Sequence, residues 1–173
     1  MNVIDLVSQN SNLLSWQQGL QKNNRELILG LSATTKAIVM ASAFDSIEKA
    51  VLITSSYNEA ERLASDFIAL LGEEKVHTFF GDDNPLAEFV FASQERQFAR
   101  LEALNFLCQE DRQGILVTNV SGIKLLLPSP KVFASSIFKL KVGQEIDLTT
   151  LSETLQKIGY QKVSQVLQQG EFS

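Results

Sequence analysis

Four short apolar runs constrain this chain more than anything else in it. They are Glu26 to Leu29, Ala50-Val51-Leu52-Ile53-Thr54, Val76 to Phe80, and Gly114-Ile115-Leu116-Val117-Thr118. Each is too short for a helix, and none alternates polar with apolar residues as a strand with one wet face does. A strand that is apolar throughout has both faces covered, the habit of parallel sheets. Helical periodicity fills the gaps between the runs. A helix is predicted over 35–44. A second carries Ala60, Leu63, Ala64, Phe67, Ile68 and Leu71 after a cap at Ser55 or Ser56 and stops at Gly72. A third, over 93–109, presents Phe98, Leu101, Leu104 and Leu107. Strand and helix in alternation predict an α/β domain over 1–135, a parallel sheet with helices on both faces. The first 22 residues read as helical, with Ser11 and Asn12 able to cap the second piece.

The remainder has another rhythm. Pro128 and Pro130 break the pattern. Residues 136–142 alternate as a one-sided strand does, Gly143 turns the chain, and a capped helix is expected from Asp147 to Ile158, ended by Gly159. Residues 161–167 alternate again, and Gly170-Glu171-Phe172 opens a further strand. Residues 136–173 are therefore expected to be the start of a second, α+β domain cut by the end of the chain.

Composition narrows the function classes. At 173 residues with 45% hydrophobic content, the chain can bury a core, and wholesale disorder is disfavoured. A net charge of -5 makes it a poor free-standing DNA binder, because duplex affinity comes largely from neutralised phosphates. A single cysteine, Cys108, allows neither an internal disulfide nor a Cys-based zinc site. The chain shows no signal-peptide pattern and no apolar run of membrane-span length, so a cytoplasmic location and no membrane partner are expected.

The segment Gly30-Leu31-Ser32-Ala33-Thr34-Thr35-Lys36-Ala37 falls between a predicted strand and a predicted helix. A phosphate-binding loop has the form G-x-x-x-x-G-K-[ST] at such a junction. Gly30 and Lys36 match at the correct spacing. Thr35 stands where the second glycine belongs and puts a β-branched side chain where the backbone must approach a phosphate. Ala37 stands where a hydroxyl would ligate magnesium. The amides of the helix N-terminus still suit an anion, so two readings stay open: weak anion binding around Gly30, Thr34, Thr35 and Lys36, or a turn with Lys36 in solvent. The chain has no Asp-Glu dipeptide to hold magnesium after an apolar strand. Asp82 and Asp83 read as a solvated loop, His77 as a core-edge residue, and Cys108 as buried packing.

In order along the chain, several stretches resemble the N-terminal, UvrB-like end of the bacterial transcription-repair coupling factors (Mfd). They are Leu27-Ile28-Leu29-Gly30 with its altered loop, and Val51-Leu52-Ile53 with Asn58-Glu59-Ala60-Glu61-Arg62-Leu63. Gly114 to Thr118 and Lys141-Val142-Gly143-Gln144 follow. The series closes with Leu155, Gly159-Tyr160, Val163-Ser164-Gln165-Val166 and Gly170-Glu171-Phe172. The resemblance implies a degenerate RecA-like domain that has lost its ATP site, then part of a domain that recruits UvrA. It implies no cofactor and no catalysis in this stretch. ATP, magnesium, RNA polymerase and DNA would be engaged by domains outside it, in a parent that displaces stalled polymerase. UvrB itself differs: it has an intact phosphate loop, and a long aromatic hairpin where only residues 81–92 stand here. Phe89 and Phe91 are expected in the core or against a neighbouring domain. Phe172 is expected at the edge of the UvrA-contacting surface or in a core. UvrA is expected to bind this stretch poorly, because the recruiting domain is incomplete. Two other readings remain: a nucleotide-binding helicase fragment with an atypical loop, and an unrelated α/β protein, which the lack of a strand-loop-helix turn at residues 30–37 would favour.

Overall fold

The computed structural model describes residues 7, 9–22, 25–83, 93–168 and 170–173. The chain divides into two units, Met1–Leu126 and Leu127–Ser173.

The first unit is a parallel sheet of β1 (Lys49–Thr54), β2 (Val76–Phe79) and β3 (Gly114–Asn119), in the order β1-β3-β2. Helices α1 (Ser11–Gln21), α2 (Ala33–Ser42), α3 (Tyr57–Leu71), α4 (Gln94–Cys108) and α5 (Val120–Ile123) accompany it. This is the α/β arrangement expected, and it is compatible with a RecA-like domain. Every residue of the central strand β3 is buried. On one face Ile115 and Val117 pack with Ala37, Ala41, Ala60, Leu63, Ala64 and Phe67 of α2 and α3. On the other, Leu116 packs with Phe79, Ala103 and Phe106.

Local chemistry sets the helix bounds. Ser56 caps α3 by accepting the Glu59 amide at 3.3 Å, and Gly72 ends it at φ +92°. Ser93 caps α4 through the Arg96 amide. The Lys49 ammonium donates to the carbonyls of Phe106 and Gln109, placing a cation at the C-terminal end of α4. Gly114 sits in a close approach, and any side chain there would have to displace the Phe106 ring. A Cβ there would lie 2.7 Å from the Phe106 ring and 3.1 Å from the Lys75 carbonyl.

Several expectations need correction. Asn10, rather than Ser11 or Asn12, caps α1, accepting the Asn12 amide at 3.0 Å. Residues 25–29 form no strand; Leu27 and Leu29 are 82% and 79% exposed. A short apolar run becomes a strand only by pairing, and among the described residues nothing pairs with it. On α4, Leu101 and Leu107 face solvent while Ala103 and Phe106 are fully buried. Of the expected stripe, Leu104 packs against the Phe106 cluster and Phe98 is half-buried, whereas Leu101 and Leu107 are exposed, so the buried face is turned from the one expected toward Ala103 and Phe106. Cys108 is exposed, at the last turn of that helix.

The second unit carries α6 (Pro130–Ser135), α7 (Leu148–Lys157) and a two-stranded parallel pair, β4 (Gln161–Lys162) with β5 (Glu171–Phe172). Asp147 caps α7, its carboxylate accepting the Thr150 amide at 2.8 Å and the Thr150 hydroxyl at 2.7 Å. Gly143 and Gly159 turn the chain at positive φ as expected. The strand expected over 136–142 does not form, and Leu140 and Val142 are exposed. Alternation there has no partner strand to act on. The strand expected over 161–167 is only the two residues of β4.

Candidate functional site

The loop ahead of α2 is built from the residues singled out in the sequence. Gly30 has φ +81° with open space where a Cβ would stand. Ser32 is the N-cap residue, yet its hydroxyl makes no capping bond. It pairs instead with the Thr35 hydroxyl at 2.7 Å. The Lys36 amide is committed to the Ser32 carbonyl at 2.9 Å, and Thr34 and Thr35 are exposed. The loop-helix half of the expected junction is present; the strand half is not.

The Lys36 ammonium lies 3.4 Å from a carboxylate oxygen of Glu59 on α3. The other Glu59 oxygen accepts the Ser55 hydroxyl at 2.9 Å and the Ser55 amide at 3.3 Å. The Ser55 hydroxyl, then the Ser55 amide, hold the Glu59 carboxyl below its usual pKa, and Lys36 adds to this. Both partners of the pair are more than one-third exposed. Such a pair contributes roughly 0–1 kcal/mol, so it alone does not lock the lysine away from an anion. The fixed negative charge of Glu59 beside the loop disfavours a phosphate more persistently. Ala37 is fully buried in the α2–α3 cluster. A hydroxyl at that position would lie among apolar side chains.

The carboxyl ends of the strands are where open α/β sheets take ligands. Here that edge is filled by the protein's own hydrogen bonds. Asn119, fully buried at the end of β3, accepts the amides of Gly81 at 2.9 Å and Gly122 at 3.0 Å. Its amide group donates to the Gly81 carbonyl at 2.8 Å and to Asp83 at 3.1 Å. Asp83 also accepts the Tyr57 amide at the start of α3, at 2.9 Å, and the Ser121 hydroxyl at 3.3 Å. Asp82 pairs with Arg96 at 3.4 Å. Asp83 is exposed and Asp82 half-buried, as expected of a loop pair, and both also act as structural ties. A Cβ on Gly81 would stand 2.4 Å from the Gly122 amide nitrogen, so the two loops touch backbone to backbone. Sequence reading missed this knot. Its one signal, a polar Asn directly after an apolar strand, is common at helix caps.

His77 lies on β2 as expected of a core-edge residue, 6% exposed and stacked on Phe106 with ring centroids 4.2 Å apart. Phe172 is half-buried in β5, paired with Lys162. Phe89 and Phe91 lie outside the described residues. Among the described residues, no group of three or more His, Cys, Asp or Glu is placed to hold a metal ion. No described helix is long and apolar enough to cross a membrane.

No family model matches the chain. It is similar to the transcription-repair-coupling factor of Bacillus subtilis, with 27% identity over 174 residues, covering 99% of this chain and 15% of that protein. The factor of Staphylococcus aureus strain RF122 / ET3-1 is 28% identical over 148 residues, covering 85% of this chain and 13% of that protein. The factor of S. aureus strain USA300 is 27% identical over the same length. The resemblance read from the sequence is borne out, and the chain spans about 15% of the length of the B. subtilis relative.

Proposed function

We propose that this chain serves a transcription-repair coupling factor as an interaction module that does not hydrolyse ATP. The observation that carries the reading is the loop from Gly30 to Ala37. It keeps the lysine of a phosphate loop and lacks the means to use it. Thr35 replaces the close-approach glycine and bonds Ser32. Ala37 is packed in the core, where no magnesium ligand can act. Glu59 meets the Lys36 ammonium from across the loop. Phosphoryl transfer is catalysed almost wholly by positioning and charge, so losing these elements removes the reaction.

In the same reading, recruitment of UvrA belongs to the second domain, with Phe172 at the edge of the contact. Engagement of RNA polymerase and DNA, and displacement of stalled polymerase by an ATP-driven motor, belong to other domains of the parent. The site of action is the cytoplasm. Titration calorimetry with ATP and magnesium tests the first part. No heat of binding is expected at micromolar concentrations, and micromolar binding that disappears in Lys36→Ala would overturn the reading in favour of a nucleotide-binding helicase fragment. Pull-down with UvrA tests the second: weak capture is expected, and tight capture by residues 1–173 would overturn it.

A further inference from the structure

We propose that the outer edge of β1 pairs antiparallel with the same edge of a second copy of this chain, joining two sheets into one. The pairing is independent of the loop at Gly30, so either reading can fail alone. β1 has one neighbour, β3, and its other side is a free edge. The Gly114 amide donates to the Glu48 carbonyl at 3.1 Å, which sets the parity of the strand. Ala50, Leu52 and Thr54 share the parity of Glu48 and turn their backbone groups to β3. Lys49, Val51 and Ile53 turn theirs outward. Among the described residues, no hydrogen bond reaches those outward groups.

This edge lacks the features that discourage pairing. Edge strands are ordinarily guarded by proline, by charge, by a bulge or by brevity. β1 has six residues, no proline and an unbroken register with β3. Its one charge, Lys49, is drawn away to the carbonyls of Phe106 and Gln109 on α4. The opposite edge, β2, is guarded, because Glu73, Glu74 and Glu102 line the groove beside it. β1 also carries apolar surface that its own unit leaves bare. Ala50 and Leu52 pack against the cluster of α2 and α3, whereas Val51 and Ile53, on the other face, are 52% and 55% exposed.

The strand is its own complement. A two-fold axis through Val51 sets the two copies of Val51 opposite each other and sets each Lys49 opposite an Ile53. Every outward N–H then meets a C=O. Residues opposite one another share a face, so the bare Val51 and Ile53 side chains of both copies form one patch, rimmed by the Lys49 stems. Like charges meet nowhere along the pair. A different chain would need a strand of matching pattern; a second copy supplies it by symmetry. One strand pair falls short of the roughly 1,200 Å² of a standard interface, so the dimer is weak and reversible.

Sedimentation equilibrium of the 173-residue chain, from about 5 µM to about 1 mM, is the test. A monomer–dimer equilibrium is expected, with a dissociation constant on the order of 100 µM. Val51→Lys sets two ammonium groups face to face on the axis and should leave only monomer, with the circular dichroism spectrum unchanged. Where that variant loses its fold, a cross-link decides. Opposed residues of a hydrogen-bonded pair lie about 5.5 Å apart at Cα, within disulfide range. Val51→Cys in a Cys108→Ala background should therefore oxidise to a covalent dimer about tenfold faster than the wild-type chain does through its exposed Cys108. Monomer alone up to about 1 mM overturns the proposal and leaves the edge to a strand of a different chain. A dimer that survives Val51→Lys overturns it as well, as does cross-linking no faster at position 51 than at Cys108.

Discussion

His77 is the residue whose environment is least comfortable. Its ring is stacked on Phe106, and its Nε2 is buried without a partner. Desolvation pushes its pKa below the ordinary 6.5, Arg112 pushes the same way, and Glu102 opposes them. Glu73 and Glu74 line the groove beside β2, and Lys49 sits over the Phe106 ring. The folded state therefore binds fewer protons than the unfolded state just below the ordinary histidine pKa. The contribution of neutral His77 is complete above about pH 6.5 and is lost as pH falls from there through the lowered folded value. Urea unfolding midpoints should decline between about pH 7.5 and pH 5.5, a window above the titration of Glu59, Asp147 and Glu171. In His77→Phe, which keeps a ring against Phe106, the decline should be much smaller. An unchanged slope in that variant would show that another group is responsible. At this scale the sequence was informative about Gly30, Thr35, Lys36 and Ala37, because motif spacing is local. It was silent about Glu59, which meets Lys36 from 23 residues away.

At the scale of elements, the knot around Asn119 holds the loops after β2 and β3 to each other and to the start of α3. Removing its side chain in Asn119→Ala leaves the Gly81 and Gly122 amides and the Gly81 carbonyl buried without partners. One unsatisfied buried group costs about 1–3 kcal/mol. Relaxation of the loops toward water offsets part of that, so a total loss of about 3 kcal/mol is expected from urea unfolding. Ser121→Ala removes one exposed hydrogen bond to Asp83 and should stay within about 0.5 kcal/mol. Comparable losses in the two variants would mean that the knot is not the support it looks like. Three of the four apolar runs became strands because each finds a neighbour in the sheet. The run at 27–29 has the same composition and no neighbour, so composition could not separate it from the others. The stripe on α4 was only half right for a related reason. Period alone left two faces eligible, and the sheet accepted the one with Ala103, where a helix can sit close. The knot's ties between elements join positions 26 to 38 residues apart, beyond any local pattern.

Across the whole chain, the two units differ in how much apolar surface they bury. The first has a fully buried central strand flanked by the clusters around Phe67 and Phe106. In the second, Phe133 is the one large hydrophobic residue that counts as buried among those described. Leu140, Leu148, Val166 and Leu167 are exposed. Hydrophobic burial is worth about 25 cal/mol per Å², and a unit of this length with one buried phenylalanine offsets little of its chain entropy. Its β4–β5 pair is two residues long on each side, which is marginal without further strands. Amide hydrogen exchange should therefore divide the chain. The β3 amides should exchange only by opening of the whole first unit. Those of α7 should exchange orders of magnitude faster, through local opening that leaves the sheet intact. If the α7 amides proved as slow as those of β3, the second unit would be drawing stability from contacts other than its own core. A single cooperative unfolding transition for the whole chain would then follow.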